Sequence, residues 1–238
     1  MSAPSAAFVK QYQDTISILA QQGASILRPC VMVDTNWTGE EKYYDQYNTD
    51  SMIGIISRYQ DTPVQLPDHK RRRVTPRYFV SNTLEDPVDA LQMLIDPKSA
   101  YMQAKQMAAA RQIDSIIAVA LGATAYTGKA GGDSTTLASW LSGTHVIATG
   151  SVGMTKAKCI AAAKLLNIDS VEAEDRFMAH TAAQLADLLN VTEVASGDYN
   201  TVKALVQGEI DTWLGFKWVR TEQLVKSSTT RYCYAFQK

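Results

Sequence analysis

The sequence predicts an α+β protein arranged around one long structural helix. Three observations predict it. Residues 96–121, DPKSAYMQAKQMAAARQIDSIIAVAL, form a helix-favouring run with seven alanines and many unbranched side chains. The chain before it is extended, charged and interrupted by proline. The chain after it alternates helix-periodic stretches with strand-like ones. Asp96 can cap the long helix, Pro97 suits its first position, and Gly122 is expected to end it. Such a rod is roughly 37 Å long. Its mid-helix residues Ala100, Ala104, Ala108, Ala109 and Ala110 are small enough to let another element approach closely. Helix and small side chains alike point to a structural spine in an assembly subunit.

Composition narrows the classes. With 238 residues, 46% hydrophobic and 20% charged, the chain can bury a real core in one large or two small domains. A formal net charge of -1 supplies no general attraction to nucleic acid or to an anionic membrane. No apolar run reaches the ~20 residues of a membrane span, and the first residues lack a hydrophobic signal core. Cys30, Cys159 and Cys233 are odd in number and far apart. They read as buried small hydrophobes in a reducing compartment, with no disulfide framework or zinc site.

In chain order, residues 4–22 predict an amphipathic helix. Phe8, Tyr12, Ile16 and Leu19 share one face, and Gly23 closes it. That stripe has little to bury against in its own arm, so it must dock on a partner subunit or fold back. Ile26, Leu27, Val31, Met32 and Val33 suggest a strand. A Tyr-rich polar stretch, a second apolar run at Met52–Ile56 and a charged stretch follow, with Pro63, Pro67 and Pro76 barring helix. Strand-like residues without a core pattern suggest a two-stranded extension that needs outside packing. Lys70, Arg71, Arg72, Arg73 and Arg77 are the densest charge. Asp61, Asp68, Glu85, Asp86 and Asp89 are near enough in sequence to balance it. The run therefore reads first as subunit contact or solvated face and second as DNA contact.

Residues 84–95 predict a short helix, with Asp86–Pro87 opening it. After the spine, GATAYTGKAGGDS resembles a phosphate loop only superficially. Five residues separate Gly122 from Gly128 where four are needed, Ala130 replaces the magnesium-holding hydroxyl, and a helix precedes it. A flexible, exposed glycine-rich loop is expected. Thr144–Thr149 reads as a strand. Thr155 should cap a helix to Asn167 with Ile160, Ala163, Leu165 and Leu166 inward. Arg176–His180 reads as a short strand, Thr181 as the cap of AAQLADLLN, and Asp198 or Asn200 as the start of a helix through TVKALVQ. Strands are expected over Ile210–Val219 and Thr229–Phe236. Trp213, Phe216 and Trp218 read as core anchors.

A search for chemistry finds none. His69, His145 and His180 lie in separate contexts, with no HExxH or GxSxG pattern. Glu172, Glu174 and Asp175 read as a polar turn. No catalytic residue, metal ligand or cofactor site is expected, and the protein reads as a non-enzyme.

Four colinear stretches carry a resemblance. They are FVKQYQDTISILAQQGASILRP, DPVDALQMLIDPKSAYMQAKQMAAARQIDSIIAVALGATAYTG, MTKAKCIAAAKLLN and YNTVKALVQGEIDTWLGFKWVRTEQL. Together they resemble tailed-phage major capsid proteins with the HK97-like fold. The resemblance implies an N-terminal arm at 1–26, an extended E-loop at 27–90, a peripheral domain at 91–170 with the spine helix at 96–121, and an axial domain at 171–238. That family continues beyond the strand resembled by YCYAFQK, so the C-terminal part of the axial domain is expected to be missing here. The family's function implies pentamers and hexamers of the chain forming an icosahedral shell around double-stranded DNA, without sequence-specific binding. Scaffolding, portal and decoration proteins are implied as further partners, and no membrane. The location implied is the virion, after synthesis in the host cytoplasm. Candidate inter-subunit contacts are Phe8, Tyr12, Ile16 and Leu19 on the arm, and Lys70, Arg71, Arg72, Arg73 and Arg77 on the extension. Two alternatives stand beside this: an encapsulin-like compartment shell of the same fold, and a soluble phosphate-binding enzyme using the Gly122–Gly132 loop.

Overall fold

The computed structural model describes residues 19–47, 50–62, 64, 66, 69–84, 98–137, 145–190, 212–228 and 230–238. The chain forms two compact units: Met1–Ser25 with Phe79–Ile113, and Ile26–Tyr78 with Asp114–Lys238. The division falls inside helix α1, Lys98–Gly122, which runs unbroken for 25 residues. The expected caps Asp96 and Pro97 lie outside the described residues, as do the expected helices at 85–95 and through TVKALVQ.

In the first unit, Leu19–Gln22 have no helical structure, and the Leu19 side chain is exposed. The last turn expected of the arm helix is therefore absent. Phe8, Tyr12 and Ile16 lie outside the described residues. Arg111 on α1 reaches Gln21, donating from Nη1 to Oε1 at 2.5 Å. None of the five mid-helix alanines is buried.

The second unit holds two larger, unlike sheets and a two-stranded one. One is three-stranded, in the order β6-β5-β9, with β5 Arg176–His180, β6 Lys217–Arg220 and β9 Tyr234–Gln237. β5 is central, parallel to β6 and antiparallel to β9, and all five of its residues are buried. Its period of two sorts two cores onto opposite faces. On one face, Ala179 packs with Leu27, Ala118 and Leu224, and Val219, Tyr234 and Phe236 close around them. On the other, Met178 and Trp218 pack with Cys159, Leu188 and Phe216. Helices α2, Lys156–Ile168, and α3, Ala182–Leu189, supply Cys159 and Leu188. The three-layer arrangement explains why β5 tolerates no exposed residue.

Both helices start as their caps predict. The Thr155 side chain accepts from the Lys158 N–H, and Thr181 with Gln184 forms a capping box. The buried face of α2 differs from expectation. Cys159 is fully buried, with Ala162, Ala163 and Leu166 beside it, while Ile160 faces solvent. The small side chains let the helix lie close to the sheet.

Ile26–Val33 is not a strand. Arg28–Cys30 makes a turn of 3-10 helix, with Leu27 and Cys30 buried. Pro29 cannot supply a ladder N–H. Asp114 on α1 takes the backbone N–H groups of Ile26 and Leu27 instead, each at 3.0 Å. Residues 145–149 also form no strand, since no described segment pairs with them. The run Ile210–Val219 is interrupted at Leu214 and Gly215, both with positive φ. Trp213 and Phe216 exchange backbone hydrogen bonds across that tight turn. Phe216 and Trp218 are core residues as expected, and Trp213 is half-buried. Thr229–Phe236 is split as well: β8, Thr230–Arg231, pairs with β7, Lys226–Ser227, before β9 begins.

Gly122 is the last residue of α1 but is not placed there for a left-handed turn. A Cβ on it would lie 2.6 Å from the Tyr234 hydroxyl. The glycine admits β9 against the helix end.

Candidate subunit interface

The second sheet is antiparallel throughout, in the order β1-β2-β3-β4: Lys42–Tyr47, His69–Val74, Ala125–Thr127 and Asp133–Thr135. The expected two-stranded extension exists, but its strands are the Tyr-rich and basic stretches. The apolar runs flanking them take no part. Met52–Ile56 has no regular structure and is exposed, with Met52 and Ile56 almost wholly in solvent.

Not one residue of this sheet is buried. Its cohesion comes from cross-strand pairs. On one face Tyr43 stands opposite Arg73, Asp45 opposite Arg71, and Tyr47 opposite His69. Arg71 Nε donates to Asp45 at 2.6 Å, and Arg73 Nη1 donates to Glu41 at 3.1 Å. The Arg73 guanidinium also lies 5.0 Å from the centre of the Tyr126 ring on β3, and the His69 and Tyr47 rings lie 4.6 Å apart. Ahead of β1, Asp34 binds the Lys42 ammonium and the Tyr44 hydroxyl, and these hold its carboxyl down at about 2. Arg71 likewise lowers the Asp45 carboxyl.

This geometry changes the expected partners of the basic run. Arg71 and Arg73 are partnered within the sheet by Asp45 and Glu41. Of the acids expected to balance them, Asp68, Glu85, Asp86 and Asp89 lie outside the described residues. Arg72 is half-buried on the opposite face, and burial lowers its pKa. Lys70 and Arg77 are exposed. A guanidinium stacked on tyrosine and paired to a carboxylate is poorly placed to grip phosphate.

The glycine-rich segment is not a flexible loop. It is the β3–β4 hairpin, closed where Gly131 N–H donates to Gly128 O at 3.1 Å. Gly128 and Gly131 both have positive φ. A Cβ on Gly131 would collide with the Arg73 side chain, and one on Gly128 with Asp133. These glycines serve a tight turn and close packing.

Sequence reasoning missed three polar residues that fix the framework. Asp114 is fully buried and holds the 26–30 turn. Lys158 Nζ donates to the carbonyls of Thr149, Val152 and Gly153 at 2.6–2.8 Å, ordering the chain before α2. Arg176 is buried and joins the end of α2 to β5, donating to Asn167 Oδ1 and Glu172 O at 2.7 Å and also to Val171 O. A lone acid in an alanine-rich helix was the one available signal, at Asp114. The polar turn does form: Asp175 has positive φ and its carboxylate pairs with Lys217 at 2.7 Å.

The histidines remain apart. His145 Nε2 lies 2.7 Å from Asp169 Oδ2, and His180 is buried beside Trp218. Burial pushes the Cys159 thiol up to about 11 and Cys233 up to about 12, which makes both inert. Among the described residues no group of three or more His, Cys, Asp or Glu could hold a metal ion, and no helix is long and apolar enough to cross a membrane.

A model of the phage capsid protein family matches residues 5–238. No curated protein matches the chain. Solved structures similar to the chain include three from phages. The capsid of cyanophage P-SCSP1u has a TM-score of 0.67 at 17% identity, over 98% of this chain and 78% of that one. Mycobacterium phage Che8 gives 0.65 at 17%, over 95% and 79%. The mature capsid of bacteriophage PhiM1 gives 0.56 at 12%, over 94% and 69%.

Proposed function

Because the chain belongs to the phage capsid protein family, as a tailed-phage major capsid protein with the HK97-like α+β fold, we propose that it builds a shell through its exposed β1–β2 extension. The shell is icosahedral, made of pentamers and hexamers, and encloses double-stranded DNA without reading its sequence. Residues 1–26 act as the arm, 27–90 as the E-loop, 91–170 as the peripheral domain and 171–238 as the axial domain. Assembly follows synthesis in the host cytoplasm, with scaffolding, portal and decoration proteins as further partners.

One observation carries this reading. Between β1 and β2 the chain exposes Met52, Ile53, Ile55, Ile56 and Tyr59, and neither strand has a buried residue. Contiguous exposed apolar surface of this kind marks a surface meant to be covered by a partner. A neighbouring subunit covers it in the shell, and obligate interfaces of this sort bury about 2,000 Å² or more. The net charge of -1 and the ion-paired basic strand fit a wall that encloses DNA without gripping it.

The test is assembly of the purified protein with Ile53→Asp and Ile56→Asp together. Both positions are exposed, so the subunit keeps its fold by circular dichroism, and megadalton particles disappear in light scattering and electron microscopy. Normal particles from the double variant would remove the extension from the interface.

A further inference from the structure

The corner where β5 runs into α3 contains a titratable group that shell assembly does not call on. His180 is the last residue of the central strand and is only 2% exposed. Its ring meets the Trp218 ring edge-on, with centroids 5.2 Å apart. The next residue, Thr181, is the N-cap of α3, so the strand passes directly into the helix at this point. Across the ladder its partner is Arg220, and its carbonyl accepts from Thr221 N–H at 2.9 Å.

The polar side chains around His180 are engaged with partners other than its ring. Gln184 Oε1 accepts the Thr181 N–H at 2.9 Å, and Gln184 Nε2 donates to Arg231 O at 3.0 Å. Glu222 accepts the Ala182 N–H at 2.7 Å and pairs with Arg231 and Lys226. We infer that His180 is an acid-sensitive latch, which locks β5, β6 and α3 together while neutral and loosens that corner when it takes a proton.

The charge balance supports this. Burial is the dominant influence and lowers the His180 pKa; Arg220 lowers it further. Glu222 and the backbone groups of Met178 and Val219 oppose this without reversing it. A group whose folded pKa lies below its unfolded value near 6.5 leaves stability intact above that value. As pH falls below it, the unfolded chain takes up a proton that the folded chain refuses. The folding equilibrium then weakens by up to about tenfold per pH unit until the folded pKa is reached.

The experiment compares urea unfolding of the full chain from pH 7.5 to 5.0 with that of His180→Gln, His69→Gln and His145→Gln. Each comparison is between histidine variants in the same assembly state, so the outcome does not depend on the shell reading. The expected result is a fall in stability below pH 6.5 that persists in the His69 and His145 variants and flattens in His180→Gln. An unchanged fall in His180→Gln overturns the latch. Hydrogen exchange of the wild-type chain decides the matter even where that variant fails to fold. Residues 176–180 and 217–220 lose protection at pH 5 more than 156–168 do, and equal protection in all three would also overturn the proposal.

Discussion

The two larger sheets of the second unit are built on opposite principles. In β6-β5-β9 the central strand is wholly buried, with an apolar core on each face. In β1-β2-β3-β4 no residue is buried, and arginine–carboxylate and arginine–tyrosine pairs span the strands. The first is held by exclusion of water, a term that scales with area and is little affected by salt. The second relies on exposed charge pairs, each weak and screened by salt. One chain thus carries a rigid platform and a ribbon of adjustable shape. The ribbon adjoins the exposed apolar run that we assign to subunit contact.

The largest effect that would test this contrast is in the platform. Phe216→Ala removes a fully buried ring at the tight turn before β6 and should cost about 3–5 kcal/mol in urea unfolding. A loss under about 1 kcal/mol would mean that the platform is not the stable part. Asp114→Ala strands the Ile26 and Leu27 N–H groups in the interior, with an expected loss of about 1–3 kcal/mol by the same measurement. Gly122→Ala should cost about 1 kcal/mol by pressing on Tyr234. Tyr234→Phe removes the clashing hydroxyl, so the loss should shrink in the double variant.

The smallest effect on stability belongs to the ribbon. Arg71→Ala should leave the unfolding midpoint unchanged, because its ion pair is exposed. The ribbon's acid response is set by Asp34 and Asp45, whose carboxyls are held below their ordinary values. Their contribution is complete above the ordinary carboxylate range, around 4. It is lost as pH falls toward the value of about 2 reached by Asp34. Pepsin should therefore nick Lys42–Tyr47 increasingly between pH 4 and 2. Resistant strands at pH 2 would show that something besides these pairs secures them.

Legibility differed between the sheets for the same reason. β5, both helix caps and the Phe216 and Trp218 anchors could be read directly, because burial imposes an apolar pattern and capping needs specific side chains. The ribbon strands were hidden in KYYDQY and HKRRRV, which lack the apolar alternation by which strands are recognised. Their pairing is visible only as complementarity between residues about thirty positions apart. The apolar runs at 26–33 and 145–149 misled, because β propensity without a partner strand produces no ladder. The basic run was visible in the sequence, but its carboxylate partners were sought at Asp61, Asp68, Glu85, Asp86 and Asp89 when those of Arg71 and Arg73 are Asp45 and Glu41.

By itself the sequence determined the long helix, the three-layer core elements near the C-terminal end and the kinship that names the family. Those features rest on local propensity, on periodicity and on order along the chain. Only tertiary structure decided that Gly122 yields space to Tyr234, that Asp114 holds a distant turn, and that two arginines of a basic strand pair with carboxylates some thirty residues upstream. Each of these depends on which atoms meet across long separations in the chain. Pairing energies of that kind leave no periodic trace in the residues on either side.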